Sequence, residues 1–344
     1  MMEEYRSYSI EELEKYMKSF NQPSFRGKQL FKWVHRGAEE FDEMTDIPES
    51  LRELLKKNGY VCNMEIEEKL ESRTDGTVKY LMMLRDGNVI ECVFMRYSFG
   101  NTICISTQAG CSMGCSFCAS TIGGKIRDLT AGEMLGQVIK VQKDMGERIS
   151  NVVLMGTGEP MDNLDNVLKF LSLLNHPDGI NIGMRHVTIS TCGIVEGIKK
   201  LAQLDLQLTL AVSLHAPNDE IRKKIMPVAH RYSMEELMDS CRYYIAMTNK
   251  RITFEYALIK GVNDSDDNAR ELGERLKGML CHVNLIPVNQ VSERSYQKSV
   301  HERILAFKRM LEQMGVETTI RRELGSDISA ACGQLRRRYI KSKE

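Results

Sequence analysis

The sequence carries no net charge: 47 Lys and Arg balance 47 Asp and Glu over 344 residues. Such a balance does not advertise a nucleic-acid binder, and any contact with phosphate must come from local clusters of Lys and Arg. Nor is there a run of about 18 apolar residues, the length a membrane helix needs. The first residues, Met-Met-Glu-Glu-Tyr-Arg-Ser-Tyr, contain no apolar core segment, so no secretory signal is expected. Tryptophan is nearly missing, with a single residue at position 33. What remains is ordinary for a globular chain, 42% hydrophobic and 27% charged. This length accommodates one large domain or two, and the expected location is cytoplasmic.

Ten cysteines stand out against that background. In a cytosolic chain they point to metal or redox chemistry rather than to a disulfide scaffold. Cys111, Cys115 and Cys118 form a C-x-x-x-C-x-x-C triplet, with Cys104 just upstream. The i, i+4, i+7 spacing would also suit thiols packed on the buried face of a helix. Gly110, Gly114 and the Ser-Thr-Gln-Ala-Gly lead-in speak against a long helix here and favour a loop. A structural zinc takes four protein ligands. A four-iron cluster is also held by Cys thiolates, and three of them leave one iron open. Cys62, Cys92, Cys192, Cys241 and Cys281 match no motif and are assigned to packing.

Three regions follow from the patterning. Residues 1–60 read as short helices, opened by the capping box Ser9-Ile-Glu-Glu12. In 24–36, Phe25, Leu30, Phe31 and Val34 are expected to face a core, with Arg26, Lys28, Lys32 and Arg36 in water. This segment reads equally as an amphipathic helix and as an RNA-binding surface. Residues 61–97 read as a β-meander, with strands at 64–72, 78–84 and 89–96 and turns at Asp75-Gly76 and Asp86-Gly87. Alternation in the third strand puts Glu91 on one face with Val89 and Val93, where it reads as a solvent-facing strand Glu or as an inward carboxylate, and residue type favours the first.

From 98 to 344 strand-like runs at 102–106, 151–155, 186–190, 206–214, 251–259, 282–288 and 317–322 alternate with helix-like segments. The class is α/β, with βαβ units building an incomplete (β/α)6-type barrel. In such a barrel the chemistry gathers at the C-terminal strand ends. The Cys cluster, Gly158, Glu159, Ser190, Ser213, Leu214, His215 and Asn289 fall there. The last stretch reads as a strand, then a loop carrying Cys332, then a basic tail from Arg336.

The triplet, with Phe117 before its third Cys, resembles the radical S-adenosylmethionine (SAM) enzymes. Cys104-Ile-Ser-Thr-Gln-Ala-Gly-Cys111, Gly156-Thr-Gly-Glu-Pro160 and Asp327-Ile-Ser-Ala-Ala-Cys-Gly-Gln-Leu335 narrow the resemblance to the RlmN/Cfr family of RNA methyltransferases. It implies a 4Fe–4S cluster on Cys111, Cys115 and Cys118, with SAM chelating the open iron. Gly158, Glu159, Ser190, Ser213, Leu214, His215 and Asn289 would contact SAM. Cys332 would take a methyl group from one SAM. A radical generated from a second SAM would activate that methyl for addition to carbon 2 of adenosine. Glu91 would accept the proton lost from carbon 2. Cys104 would attack Cys332 to release the product, forming a disulfide that is later reduced. The implied substrates are adenosine 2503 of 23S rRNA and adenosine 37 of tRNAs. A flavodoxin or ferredoxin would be the electron donor, the N-terminal helices would contact RNA, and a monomer is expected. The rival branch of the family methylates carbon 8 and typically has Ala after the Glu that Pro160 follows here. A reading from another class is a non-catalytic iron–sulfur protein, which would have no use for Cys104 and Cys332 as a pair.

Overall fold

The computed structural model describes residues 2–62, 64–289, 293–328 and 333–343. Helices Ile10–Ser19, Phe25–His35 and Glu49–Asn58 fill the first sixty residues. Strand Glu3–Glu4 pairs in parallel with Gly59–Tyr60, so the two ends of this segment are joined. Ser9 caps the first helix as its sequence predicts: its side chain accepts from the Glu12 N–H, and Glu12 reaches back to the Ser9 N–H. Leu13, Met17, Leu30, Phe31 and Val34 are buried together. Phe25 departs from expectation and is 54% exposed. The buried row of the second helix is Gly27, Leu30, Phe31 and Val34, and Phe25 lies off that stripe. Gly27 holds the crossing with the first helix, where a Cβ would stand 2.5 Å from the Glu14 backbone nitrogen.

The remainder is built on one 10-stranded sheet. Strands Gly100–Cys104, Asn151–Leu154, Val187–Thr191, Thr209–Ser213, Ile252–Leu258, Cys281–Pro287 and Thr318–Ile320 lie side by side in chain order, all parallel. These match the seven strand-like runs of the sequence. Helices cross over between them, among them Ala131–Met145, Leu164–Asn175 and Met234–Thr248. Thr318–Ile320 and Met64–Glu71 end the sheet at opposite edges, so the barrel is open. Beyond Gly100–Cys104 the sheet continues antiparallel through Val89–Tyr97, Val78–Leu84 and Met64–Glu71, which is the expected meander. Gly76 and Gly87 adopt positive φ at its turns.

The chain end differs from its sequence reading. Residues 334–343 form a helix, Gln334–Lys343, rather than a free basic tail. Leu335, Tyr339 and Ile340 share a face and pack with Leu81 and Val89 of the meander. Arg336 is buried, its Nε donating to the Val89 carbonyl at 2.9 Å, and is not available to phosphate.

His35 marks where the N-terminal helices meet the barrel. It stacks on Phe31 with ring centroids 3.9 Å apart, and a Cβ on Gly179 would lie 2.5 Å from its Nδ1. Burial, with Arg6 and His176 nearby, pushes its pKa down to about 3 from 6.5. A histidine depressed in this way takes its proton only in the unfolded chain between those values. Its contribution to stability is therefore complete above about pH 6.5 and lost as pH falls towards 3. Between pH 7 and 5 that loss amounts to about 2 kcal/mol. Urea unfolding at the two pH values should show a His35→Gln variant losing about 2 kcal/mol less than the parent; equal losses would contradict this account.

Candidate active site

The three cysteines sit at the tip of a small hairpin. Gln108–Gly110 and Lys125–Asp128 pair antiparallel, and residues 111–118 form the loop between them. The Cys111 N–H donates to Gly124 O at 3.1 Å, the Cys118 N–H to Cys115 O at 3.1 Å, and Thr121 Oγ1 to Cys118 O at 2.9 Å. The far side is held by Ser116, whose N–H donates to Ile225 O at 2.9 Å. Backbone bonds thus fix the loop, and the Cys111 sulfur also accepts from the Met113 N–H. Burial pushes the Cys111 thiol up to about 11 and the Cys115 thiol higher still, with the neighbouring thiols adding to the shift. Thiols in this state become thiolates only when a cation joins them. Among the described residues no three His, Cys, Asp or Glu side chains gather as ligands of a single metal ion. The donor set fits a larger, multi-iron group on one open face, with a position left for another ligand.

All three cysteines line a cleft of about 250 Å³ at the C-terminal ends of the parallel strands. Gly158, Glu159, Ser190, Ser213, His215 and Asn289 line the same cleft, each from the end of a successive strand. Leu214 does not: its side chain is in the main core, and its backbone N–H donates to Glu255 O. Glu159 is buried; its carboxylate accepts from the Met161 N–H at 3.0 Å and the Cys192 N–H at 2.7 Å. Burial nonetheless raises its pKa, so an incoming cation such as an ammonium would be favoured beside it. His215 adopts a positive φ of 56°, and its Nδ1 accepts from the Ala257 N–H at 2.9 Å. That bond assigns the proton to Nε2, and burial lowers the pKa to about 3, so the ring is a neutral donor.

Glu91 and Cys104 lie beside this cleft rather than in its wall. Cys104 is buried in a cluster with Val93 and Met95; Leu324 and Met155 pack against that cluster, and Met155 also lines the cleft. Glu91 is buried, although residue type alone favoured a solvent-facing position. Its carboxylate is 3.2 Å from the Lys79 ammonium and accepts from the Gly333 and Arg336 N–H groups, at the start of the C-terminal helix. Removing one partner of such a buried pair costs about 3–5 kcal/mol. Cys332 lies outside the described residues. Its neighbour Gly333 abuts the Cys loop: a Cβ there would be 2.6 Å from the Ser120 nitrogen.

Glu255, Arg321 and Gln334 also line the cleft without having been read from sequence, and Cys192, assigned to packing, lines it too. Cys192 follows strand Val187–Thr191, and that strand-end position was its only signal. Glu255 is buried with its pKa raised, and Asn284 donates to it at 2.9 Å. A Glu inside an otherwise apolar strand, Ile252–Leu258, was a legible sign of it.

Comparison with known proteins bears on the same regions. The radical SAM superfamily model matches residues 105–273, and the model of the ribosomal RNA large subunit methyltransferase N-terminal domain matches residues 6–61. A protein of Alkaliphilus oremlandii named "Probable dual-specificity RNA methyltransferase RlmN" is 56% identical over 336 residues, 98% of each chain. One of the same name from Clostridium acetobutylicum is 55% identical over 343 residues, 100% of this chain and 99% of its own. The crystal structure of a radical SAM methyltransferase from Sphaerobacter thermophilus superposes with a TM-score of 0.93 at 41% identity. It covers 97% of this chain and 99% of its own.

The hydrogen bonding of His215 makes a direct prediction. Long-range 1H–15N spectra at pH 5.5 should show it as the neutral Nε2–H tautomer, well above its value of about 3. An imidazolium signal there would refute the assignment.

Proposed function

We infer the reaction from one premise: the chain belongs to the RlmN family of dual-specificity RNA methyltransferases in the radical SAM superfamily. The proposed target is carbon 2 of adenosine 2503 in 23S rRNA, with adenosine 37 of tRNAs as a second substrate. Carbon 2 is an electron-poor sp² carbon and does not attack a SAM methyl, so the methylation requires radical chemistry. When bound, the 4Fe–4S cluster on Cys111, Cys115 and Cys118 supplies an electron, and two SAM per turnover supply the methyl group and the 5′-deoxyadenosyl radical. The observation that carries this reading is the cleft itself, where three cysteines meet Glu159, Ser190, Ser213, His215 and Asn289.

The chain's own residues have distinct parts in this scheme. Glu159 receives the SAM amino group, Gly158 gives the backbone room to approach, and the His215 Nε2–H donates into the cleft. Ser190, Ser213, Asn289 and the Leu214 backbone complete the contacts. Cys332 acts as a thiolate nucleophile and carries the methyl as S-methylcysteine. Glu91 accepts the proton from carbon 2. Cys104 attacks the Cys332 sulfur, freeing the methylated base, and the resulting disulfide is reduced before the next cycle. Pro160 after Glu159 favours carbon 2 over carbon 8.

RNA contact is assigned to the N-terminal helices, where Phe25, Lys28, Lys32, Trp33 and Arg36 border one shallow cavity. A flavodoxin or ferredoxin supplies electrons to a cytoplasmic monomer in this reading. No helix among the described residues is long and apolar enough to cross a membrane.

Anaerobic incubation of the reconstituted protein with SAM, reductant and unmodified 23S rRNA, followed by nucleoside mass spectrometry, tests this function. 2-Methyladenosine should form, vanish with Cys332→Ala, and fall by roughly 10²-fold or more with Glu91→Gln. 8-Methyladenosine, or no methylated adenosine despite SAM cleavage, would overturn the substrate assignment.

A further inference from the structure

Two anchors flank the segment around Cys332, and both lie on the antiparallel meander. Ahead of it, Asp327 accepts from Ser72 Oγ at 2.7 Å and the Arg73 N–H at 3.0 Å, and the Gly325 N–H donates to Asp75 at 2.8 Å. Behind it, Glu91 accepts from the Gly333 N–H at 2.7 Å and from the Arg336 N–H. The first N–H groups of a helix have no intrahelical partners, and a carboxylate satisfies them at the positive end of the helix dipole. Glu91 is itself held from behind. Lys79, on the adjacent strand and diagonal to Glu91 in the register, places its ammonium 3.2 Å from the carboxylate. The Lys79 side chain is wholly buried and that of Glu91 is 4% exposed.

A buried ammonium is costly and adds little stability that an apolar residue would not give, so the pair asks for another purpose. Leu335, Tyr339, Ile340 and the Arg336 Nε also hold the helix on the meander. What the Lys79–Glu91 pair adds is orientation at the end nearest Cys332. We propose that Lys79 is a positioning residue for the helix that follows Cys332 in sequence: through Glu91 it clamps the start of helix Gln334–Lys343 and fixes Gly333 against Ala119 and Ser120. The inference rests on the reading of Cys332 as methyl carrier, but it does not need Glu91 to act as a base.

The test uses the full-length, cluster-reconstituted protein with SAM and reductant but no RNA. S-methylation of Cys332 is followed by peptide mass spectrometry, and amide hydrogen exchange is followed over residues 333–343. Lys79→Met should raise exchange at residues 333–337 by about tenfold or more, the loss expected for hydrogen bonds to a charged group. It should slow methyl loading of Cys332 several-fold, while Lys79→Arg restores both. Because Lys79→Met strands a buried carboxylate, the double variant Lys79→Met/Glu91→Gln removes the pair together and should give the same two changes. Unchanged exchange and unchanged loading in the double variant would overturn the proposal. If the parent itself places no methyl on Cys332, the carrier reading fails, and the exchange measurement alone then decides whether the clamp exists.

Discussion

Parallel register is the constraint from which the rest of this structure follows. Seven strands running in one direction bring seven C-terminal ends to one rim, and each end hands over to a loop that is free to carry function. Glu159, Ser190, Ser213, His215 and Asn289 are distant in sequence and share a cleft only because their strands are hydrogen-bonded in chain order. The Cys111–Cys118 loop joins them because it follows the first of these strands. Helices such as Ala131–Met145 cover the outer face, and the inner face keeps the polar groups.

The antiparallel meander has a different task. It extends the sheet beyond Gly100–Cys104 and gives the chain end a surface to dock on. Asp75 and Ser72 hold Gly325 and Asp327, Glu91 holds Gly333, and Gly333 stands against Ala119 and Ser120. The carboxylate assigned to the carbon-2 proton is therefore also the one that holds the carrier helix.

Much of this was legible from residue order. The seven strands and the meander with its Asp-Gly turns follow from periodicity and turn chemistry; the burial of Glu91 does not, since a strand Glu is read as solvent-facing. The Cys triplet was legible because glycines at 110 and 114 rule against a helix, and the structure puts it on a hairpin tip. Phe25 was misplaced because a residue at the edge of a helix can satisfy a hydrophobic pattern without lying on its buried stripe. The C-terminal helix was missed because five basic residues between 336 and 343 masked the spacing of Leu335, Tyr339 and Ile340. Lys79 gave no sign at all: a lysine in a strand is read as solvent-facing until a buried carboxylate is found diagonal to it on the next strand.

The account's central claim is that the cleft, Cys332 and Cys104 form one covalent catalytic centre. It is tested most directly by letting Cys104→Ala turn over once with SAM, reductant and labelled RNA, then running a denaturing gel. If Cys104 resolves an adduct on Cys332, its loss should leave RNA covalently attached, and peptide mapping should find the link at Cys332. Free, methylated RNA with no protein-bound band would contradict the claim.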